Sequence, residues 1–423
     1  MSDAKKPELL VPAGSLEVLK TAVRYGADAV YIGGEAFSLR AKAKNFSHED
    51  MAEGIAFAHD HGVKVYVTAN ILAHDRDMDE AAKYFEELGQ LRPDAILIAD
   101  PGMFSLEREI CPDVPVHIST QANNTNHKTF EFWHRLGATR VVCARELTLD
   151  EIRGLRKKIP SDMEIECFVH GAMCISYSGR CLLSAYMTGR SANLGACTHP
   201  CRWKYAVAEE QRPGQYMPIE ETERGTFIFN SKDLNMIEHI PEMIDAGIDS
   251  FKIEGRMKTA LYVATVARTY RRAIDDLSES KDTYTANLPW YREEIGKCTY
   301  RQFTTGFYFG QPDENSQIYD NSTYVVESVF LGIIEEVTAD GRIRLTQKNK
   351  FSVGDVIEVM KPDYRNIPIR IEKIESEDGI SQESAPHACQ LIYVTAKPVN
   401  ESDKTGDIFA VGDLLRVGVD KED

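Results

Sequence analysis

The sequence lacks the motifs that would assign a common catalytic mechanism. It contains no H-E-x-x-H for a zinc protease, no G-x-S-x-G for a serine hydrolase, no P-loop and no strand-linked G-x-G-x-x-G. It also lacks the run of about 18 apolar residues that a membrane helix requires, and its polar start, MSDAKKPELL, does not resemble an export signal. These absences predict a soluble, cytoplasmic protein without a nucleotide cofactor or a membrane partner.

The chain is also short of positive charge. Its 66 acidic residues outnumber 49 basic ones, and the formal charge is −17. This balance argues against a wholly basic nucleic-acid coat but leaves room for a local basic patch. A length of 423 residues exceeds that of one ordinary domain, so we expect two domains.

Cysteine is unevenly distributed along the chain. Five of the nine cysteines fall within 35 residues. Thiols in a protein that is not exported should stay reduced, so such a group favours a metal site over a disulfide framework. An isolated cysteine is more often a small buried apolar residue. We assign that role to Cys167, which lies within a predicted strand.

The other four clustered cysteines follow the pattern Cys174-x6-Cys181-x15-Cys197-x3-Cys201. Four thiolates around one centre favour zinc or an iron–sulfur cluster, because soft sulfur ligands select these metals. Structural zinc sites commonly use C-x2-4-C pairs at both ends, and only the second pair here has that spacing. The pattern therefore favours an iron–sulfur cluster, with zinc as the alternative.

The cysteine segment contains no acidic residue between positions 167 and 208, where average composition would place about six or seven. Basic residues here would stabilise an anionic thiolate cluster, or would bind a polyanion whose bases stack on aromatic rings. A basic surface loop that balances an acidic protein is the plainer alternative. The residues concerned are Arg180, Arg190, Arg202, Lys204, Tyr177, Tyr186, Trp203 and Tyr205.

Residues 8–276 alternate short β-rich runs with amphipathic stretches, which predicts βα units and a parallel sheet covered by helices. Eight such strands would close into a TIM-like barrel, and an open doubly wound sheet is the rival. Nine candidates are present, and we expect SFKIEG rather than the weaker FIFN to be the eighth barrel strand. The candidates span 8–14, 27–34, 64–71, 94–100, 115–122, 140–146, 164–171, 227–230 and 250–255.

A TIM-like barrel collects the residues that follow its strands on one face, where such enzymes place their chemistry. We therefore assign 1–276 to a barrel with a cysteine-rich insertion at 172–226. A polar linker and connecting segment (277–326) precedes short alternating strands, which predict a small β-barrel domain over 327–423. Polar or glycine residues at the predicted barrel mouth are Gly14, Gly33, Asn70, Asp100, Gln121, Arg145, His170 and Glu254.

Five segments carry a family resemblance: PELLVPAGSLEVLKTAVRYGADAVYIGG, HISTQANNTN, FVHGAMCISYSGRCLLSAYMTGRSANLGACTHPCRWKY, FNSKDL and FKIEGRMKTALYVA. Together they resemble the collagenase-like "U" peptidase family of unassigned catalytic type, over essentially the whole chain. The likeness is strongest to the branch that makes 5-hydroxyuridine at the tRNA wobble position. For that branch, prephenate rather than molecular oxygen is the implied source of the hydroxyl.

The resemblance implies a 4Fe–4S cluster. The family elements HGA-x-C, SGRC and G-x-C-x3-C match Cys174, Cys181, Cys197 and Cys201. Relatives outside the tRNA branch take one ligand from further along the chain. No cysteine occurs between 202 and 297, which favours Cys201 as the fourth ligand.

The resemblance also implies a mouth that holds prephenate or a similar dicarboxylate, and a loop that holds tRNA, with a paralogous protein as a possible partner. Rim charges that only pair with one another are the alternative. The rival functions are a collagenase-like peptidase, with Cys174 and His170 as its pair, and a noncatalytic RNA-binding protein with structural zinc. Catalytic candidates are His170, Arg145 and Lys252, and substrate-binding candidates are Arg180, Arg256, Tyr177, Tyr186 and Trp203.

Overall fold

The computed structural model describes residues 6–38, 45–174, 181–190, 192, 196–203, 206–208, 216–218, 232–310, 325–400 and 408–419. The chain divides into two compact units, one within the ranges 1–19, 28–257 and 301–324, the other within 20–27, 258–300 and 325–423. No helix among the described residues is long and apolar enough to cross a membrane.

The first unit is built on a parallel sheet. Its strands are β1 Glu8–Pro12, β2 Ala29–Gly33, β3 Lys64–Ala69, β4 Ala95–Ile98, β5 Val116–Ile118, β6 Arg140–Val142, β7 Glu164–Ala172, β8 Ala206–Ala208, β9 Tyr216–Pro218, β10 Asp233–Asn235, β11 Ser250–Ile253 and β12 Phe303–Thr304. Strands β1 to β7 pair in order, and β11 pairs in parallel with both β1 and β7. This closure confirms the predicted TIM-like barrel and excludes the open sheet.

Strand β11 corresponds to the predicted SFKIEG strand, so the expected eighth strand of the closed ring is correct. The competing segment FIFN lies outside the described residues. Strand β10 follows it and pairs antiparallel with β7, while β12 pairs with β10, so these two strands extend the sheet beside β7. Strands β8 and β9 form a separate antiparallel pair.

Helices alternate with the barrel strands along the chain. Several begin at a residue that caps the first turn: the Asp100 side chain accepts from the backbone N–H groups of Gly102 and Met103, and Thr148 with Glu151 forms a capping box. Such caps end these β-to-α turns abruptly. The helices are α1 Leu16–Arg24, α2 His48–Asp60, α3 Met78–Leu91, α4 Pro101–Ile110, α5 His127–Arg135, α6 Leu149–Arg156, α7 Leu183–Thr188, α8 Ile240–Asp245, α9 Ala260–Glu279 and α10 Lys281–Gly296.

The barrel interior contains a buried ion network below its mouth. The Arg140 guanidinium contacts the carboxylates of Glu8, Glu164 and Glu166 at 2.5, 2.6 and 3.2 Å. Glu166 is fully buried and also accepts from the Lys252 ammonium at 2.7 Å. Buried charges persist only when they are paired in this way, so the network fixes the Lys252 ammonium within the barrel.

The second unit contains an antiparallel sheet. Its strands are β13 Ser328–Val337, β14 Ile343–Thr346, β15 Phe351–Ser352, β16 Val356–Met360, β17 Asn366–Ser376, β18 Ser381–Gln382, β19 Ser384–Ala385, β20 Leu391–Pro398 and β21 Leu414–Gly418. The order β16-β21-β13-β14-β20-β17 closes through a β16–β17 pairing, which confirms the predicted small β-barrel.

The polar stretch from 277 to 289, which we predicted as a linker, is helical except at Ser280. Helix α9 continues to Glu279, and Ser280 caps α10 by accepting from the Thr283 backbone N–H at 2.9 Å. The Asp276 carboxylate then joins the two helices, because it accepts from Asn287 at 2.8 Å and from the Tyr291 hydroxyl at 2.6 Å. Polar residues that suggested a linker therefore cap α10 or form hydrogen bonds between the two helices.

Candidate active site at the barrel mouth

A small cavity opens where the barrel strands end at their carboxyl termini. This is the face on which TIM-like enzymes place their chemistry. Its wall combines aromatic rings, neutral amides and hydroxyls, two basic side chains and one carboxylate. The lining residues are Tyr31, Thr68, Asn70, Leu97, Ser119, Thr120, Gln121, Phe168, Lys252, Glu254 and Arg256.

Arg256 enters the cavity through a gap that two glycines provide. A Cβ on Gly33 would lie 2.2 Å from Arg256 Nη1, and one on Gly14 would lie 2.0 Å from the Arg256 carbonyl oxygen. Any other residue at these positions would displace the arginine, which explains the two glycines after β1 and in β2. The guanidinium donates to the Thr68 hydroxyl at 2.6 Å and is 5% exposed.

Lys252 forms part of the cavity wall from below. Its ammonium lies 4.5 Å from the centre of the Tyr31 ring and 5.6 Å from that of Phe168, and it donates to Glu166. The lysine therefore holds one orientation between a buried carboxylate and two aromatic faces.

Burial, together with Arg140 and Lys252, holds the pKa of the neighbouring His117 well below its usual range, so this imidazole is neutral.

Arg145 lies beside the cavity rather than in its wall. It donates to the Ala172 carbonyl at 3.2 Å and pairs with Glu254 at 3.3 Å. Its guanidinium also stacks 3.9 Å above the Phe168 ring. Because Glu254 and Phe168 both line the cavity, the structure gives Arg145 the position of a residue that orients the wall.

Amide and hydroxyl groups form the opposite part of the wall. The Asn70 amide donates to Ser119 Oγ and to Gln121 Oε1, each at 3.2 Å, and Ser119 Oγ donates to the same Gln121 oxygen. Asn124 fixes this segment from behind by donating to the Ser119 and Val142 carbonyls at 3.1 and 3.0 Å. These contacts make the HISTQANN segment a rigid polar element at the mouth.

His170 is not among the residues that line the cavity. It lies in β7, is 1% exposed, and its ring packs 5.6 Å from the ring of Phe303. The stretch from 164 to 172 is a strand, which removes the helical spacing that a pair of Cys174 and His170 requires. Asp100, also expected at the mouth, caps α4 instead.

Gly171 allows the end of β7 to approach β11 closely. Its φ is +109°, and a Cβ there would lie 2.5 Å from the Glu254 carbonyl oxygen. We expect Gly171→Ala to reduce the free energy of unfolding of the barrel by about 2–4 kcal/mol, because it combines backbone strain with a backbone clash. Gly62→Ala is the matched control, since Gly62 has φ +71° but nothing within 4 Å of an added Cβ. Urea unfolding that gives equal losses for both variants would contradict the close approach.

Cys174 follows β7 by two residues and is exposed, whereas Cys181, Cys197 and Cys201 are partly exposed. The segments of these last three are joined, because Thr198 donates through its backbone N–H to Ser184 Oγ at 3.1 Å. Among the described residues, no group of three or more His, Cys, Asp or Glu side chains lies close enough to hold a metal. None of the four thiols forms a disulfide, and four thiols suit an iron–sulfur cluster in chemistry and number.

The remaining predicted residues of the cysteine loop divide into two groups. Tyr177 and Arg180 lie outside the described residues. Tyr186, on α7, is 87% exposed, and Trp203, after the short turn Pro200–Arg202, is 45% exposed. Large aromatic side chains at such exposure are available for stacking by a ligand. By contrast, Cys167 is 1% exposed in β7, as expected for a packing residue.

Sequence reasoning missed several cavity residues, namely Tyr31, Thr68, Ser119, Thr120 and Phe168. Two of them lie in strands, two residues before recognised positions: Tyr31 before Gly33 and Thr68 before Asn70. Side chains alternate along a strand, so residues two apart face the same side. That period would have identified these two.

Comparisons with known proteins agree over most of the chain. The family described as Peptidase family U32 matches residues 14–318, and its C-terminal domain matches residues 327–409. "tRNA hydroxylation protein P1" of Bacillus subtilis (strain 168) is 43% identical over 92% of this chain and 91% of its own length. "tRNA hydroxylation protein P" of Escherichia coli (strain K12) is 39% identical over 90% and 92%.

A further relative modifies a different RNA. "23S rRNA 5-hydroxycytidine C2501 synthase" of Escherichia coli (strain K12) is 38% identical over 65% of this chain and 40% of its own length. The family match covers both the barrel and the C-terminal domain, and the relatives named as tRNA hydroxylation proteins are matched over nearly their full length. The chain therefore belongs to peptidase family U32, in its tRNA hydroxylation branch.

Proposed function

We propose that this protein hydroxylates a uridine of tRNA, at carbon 5 of the wobble base, with an iron–sulfur cluster and with prephenate as the source of the hydroxyl. The observation that carries the proposal is the mouth cavity. Two buried cations, Lys252 and Arg256, line it. Strand β7, which forms part of its wall, ends two residues before Cys174. Relatives named for tRNA and rRNA hydroxylation support the reaction class.

The cavity suits a small carboxylic acid. Arg256 presents a guanidinium, which can bind a carboxylate through two parallel hydrogen bonds, and Lys252 adds a fixed positive charge. Both side chains are held by the fold before any ligand arrives, so little conformational entropy is lost on binding. Prephenate carries two carboxylates, and Arg145, which pairs with Glu254, would orient the adjoining wall.

Cys174, Cys181, Cys197 and Cys201 would hold the cluster, and zinc is the alternative occupant of these thiols. When bound, the cluster would supply electron transfer or Lewis-acid chemistry. The absence of acidic residues from 167 to 208 favours a group of net negative charge at this place. The protein's own part would be to supply the four thiols, of which Cys174 follows the β7 wall of the cavity by two residues.

The cysteine loop would also bind the RNA. An enzyme that modifies a base must reach it outside the helical stack, and aromatic side chains stabilise a base in that position. Tyr186 and Trp203 are exposed, and the acid-free segment around them repels phosphate less than the rest of this acidic chain. The anticodon loop presents unstacked bases of this kind.

We expect Arg256→Gln to raise the KM for prephenate about 10- to 100-fold, because the charge-assisted bonds to the carboxylate are lost. The kcat should change less, since the ligand is bound equally in the ground and transition states. Arg135→Gln is the control for the loss of one positive charge, because Arg135 is exposed on α5. A KM that Arg256→Gln leaves unchanged would place the acid elsewhere.

The proposed reaction is tested with anaerobically purified protein, tRNA that lacks the modification, and prephenate. We expect 5-hydroxyuridine to form only when prephenate is present, as measured by mass spectrometry of the digested tRNA. Addition of an extract from cells that lack the protein tests the paralogous partner. Absence of the product under both conditions, with the cluster fully loaded, would contradict the proposal.

A further inference from the structure

Gln121 occupies a rigid position in the cavity wall. It lies in a short 3-10 turn, Thr120–Ala122, directly after β5. Asn123 ends this turn in the left-handed region at φ +55°, and Asn124 ties it to two carbonyls of the barrel. The backbone at Gln121 is therefore fixed relative to the strand ends.

The hydrogen bonds around the Gln121 amide determine its orientation. Its oxygen, Oε1, accepts from the Asn70 amide and from the Ser119 hydroxyl. An amide carries its two donors on the opposite atom, Nε2, so both N–H groups point away from Asn70 and Ser119. Within the described part of the chain, Nε2 donates to no residue, although Gln121 lines the cavity.

The surrounding wall indicates what these donors would meet. Tyr31 and Phe168 contribute flat aromatic faces, and Lys252 and Arg256 contribute positive charge. An amide donor pair, a cation and an aromatic face all favour a planar group with an oxygen acceptor. A group that presents hydrogen-bond donors would leave the Gln121 donors unpaired, at a cost in affinity.

We propose that Gln121 is a specificity-determining residue, whose Nε2 donates to a planar oxygen acceptor of the molecule bound in the mouth cavity. The proposal deepens the proposed function and rests on it for the identity of the ligands. The shared chemistry is a carbonyl or carboxylate oxygen. Its two possible sources are the small acid and uracil, whose O4 is an acceptor where cytosine carries an amino group.

Gln121→Glu is the sharpest variant because it keeps the shape of the side chain. One carboxylate oxygen would still accept from Asn70 and Ser119, while the other replaces the Nε2 donors by an acceptor. Gln121→Met removes both functions and leaves the volume similar. Gln90→Glu is the matched control, since it adds the same charge at an exposed position of α3.

The test measures equilibrium binding to the full-length, cluster-loaded protein without turnover. The probes are prephenate and two anticodon stem-loop RNAs that differ only in carrying uridine or cytidine at the wobble position. If the acceptor belongs to the acid, Gln121→Glu should weaken prephenate binding at least 30-fold and Gln121→Met about tenfold, with the RNA ratio unchanged.

If the acceptor belongs to the base, Gln121→Glu should reduce the preference for uridine over cytidine at least tenfold, with prephenate binding unchanged. Gln90→Glu should leave both measurements at the wild-type value. The proposal is overturned if both Gln121 variants, folded and cluster-loaded, bind all three probes like the wild type. If the Gln121 variants change these affinities as expected but the wild-type protein forms no 5-hydroxyuridine, the proposed function is refuted and the role of Gln121 in binding stands.

Discussion

Replacement of Cys174 by alanine is expected to remove most of the iron and to reduce hydroxylation at least 100-fold. A 4Fe–4S cluster needs four ligands, and an alanine supplies none. Protein prepared without oxygen should be brown with about four irons per chain in the wild type and nearly colourless in the variant. Cys181→Ala, Cys197→Ala and Cys201→Ala should behave alike, as measured by iron analysis and electron paramagnetic resonance after reduction.

Cys389→Ala is the control for this series, because Cys389 is exposed but lies in the C-terminal domain, far along the sequence from the loop. It should retain the full iron content. A wild-type protein that contains one zinc and no iron would contradict the cluster and favour the zinc alternative. If Cys201→Ala kept its iron while the other three cysteine variants lost theirs, the fourth ligand would be a residue other than Cys201.

Glu294→Gln is expected to reduce the free energy of unfolding of the second unit by about 3–5 kcal/mol, because it leaves two buried arginines with an uncompensated charge. Glu294 is 1% exposed and contacts Arg268 at 2.5 Å and Arg416 at 2.7 Å. Hydrogen exchange of the α9 and β21 amides in urea would measure the loss. Glu358→Gln, which removes another partner of Arg416 at a more exposed position, should cost less.

The same carboxylate predicts a pH dependence of stability. Burial acts to raise the pKa of Glu294, but Arg268 and Arg416 outweigh it and lower the pKa to about 2 from an ordinary value of 4.5. A depressed pKa contributes stability that is fully present above pH 4.5 and is lost as the pH falls toward 2. The Glu294→Gln variant should lack this part of the acid sensitivity, which a series of unfolding curves from pH 6 to about pH 2 would reveal.

The barrel could be predicted from the sequence because its strands are buried on both sides and read as short apolar runs. Strand β4, AILI, is an example, with all four residues buried. Closure is harder to predict, since it depends on the pairing of β7 with β11 across 77 intervening residues, many of them in the cysteine insertion. Sequence patterns predict which segments form strands, but they do not predict which strand pairs with the last one.

The candidate site was predicted in part. Asn70, Gln121 and Glu254 follow their strands and line the cavity as expected, and so do Lys252 and Arg256. His170 was expected there for the same reason, but the register shifts between Lys252 and Ile253 beside it, and its ring packs on Phe303. An irregularity of this kind is a property of two paired strands, so one strand's sequence cannot reveal it.

The helix pair α9 and α10 shows a different limit. The stretch from 277 to 289, at the junction of the two helices, is rich in Ser and Thr and is predicted as a linker, because these residues favour turns when nothing else holds them. In the fold, Ser280 caps α10 and Asp276 binds Tyr291, so the same residues stabilise helices. Tertiary partners decided the outcome, as they commonly do for weak local propensities.

The most direct measurement is the amount of wobble 5-hydroxyuridine in tRNA from cells that lack this protein and its paralogues. We predict that the nucleoside disappears, returns when the wild-type chain is restored, and stays absent with Cys174→Ala. Mass spectrometry of purified tRNA would quantify it. Unchanged 5-hydroxyuridine in the deleted cells, or full restoration by Cys174→Ala, would contradict an iron–sulfur-dependent tRNA hydroxylation.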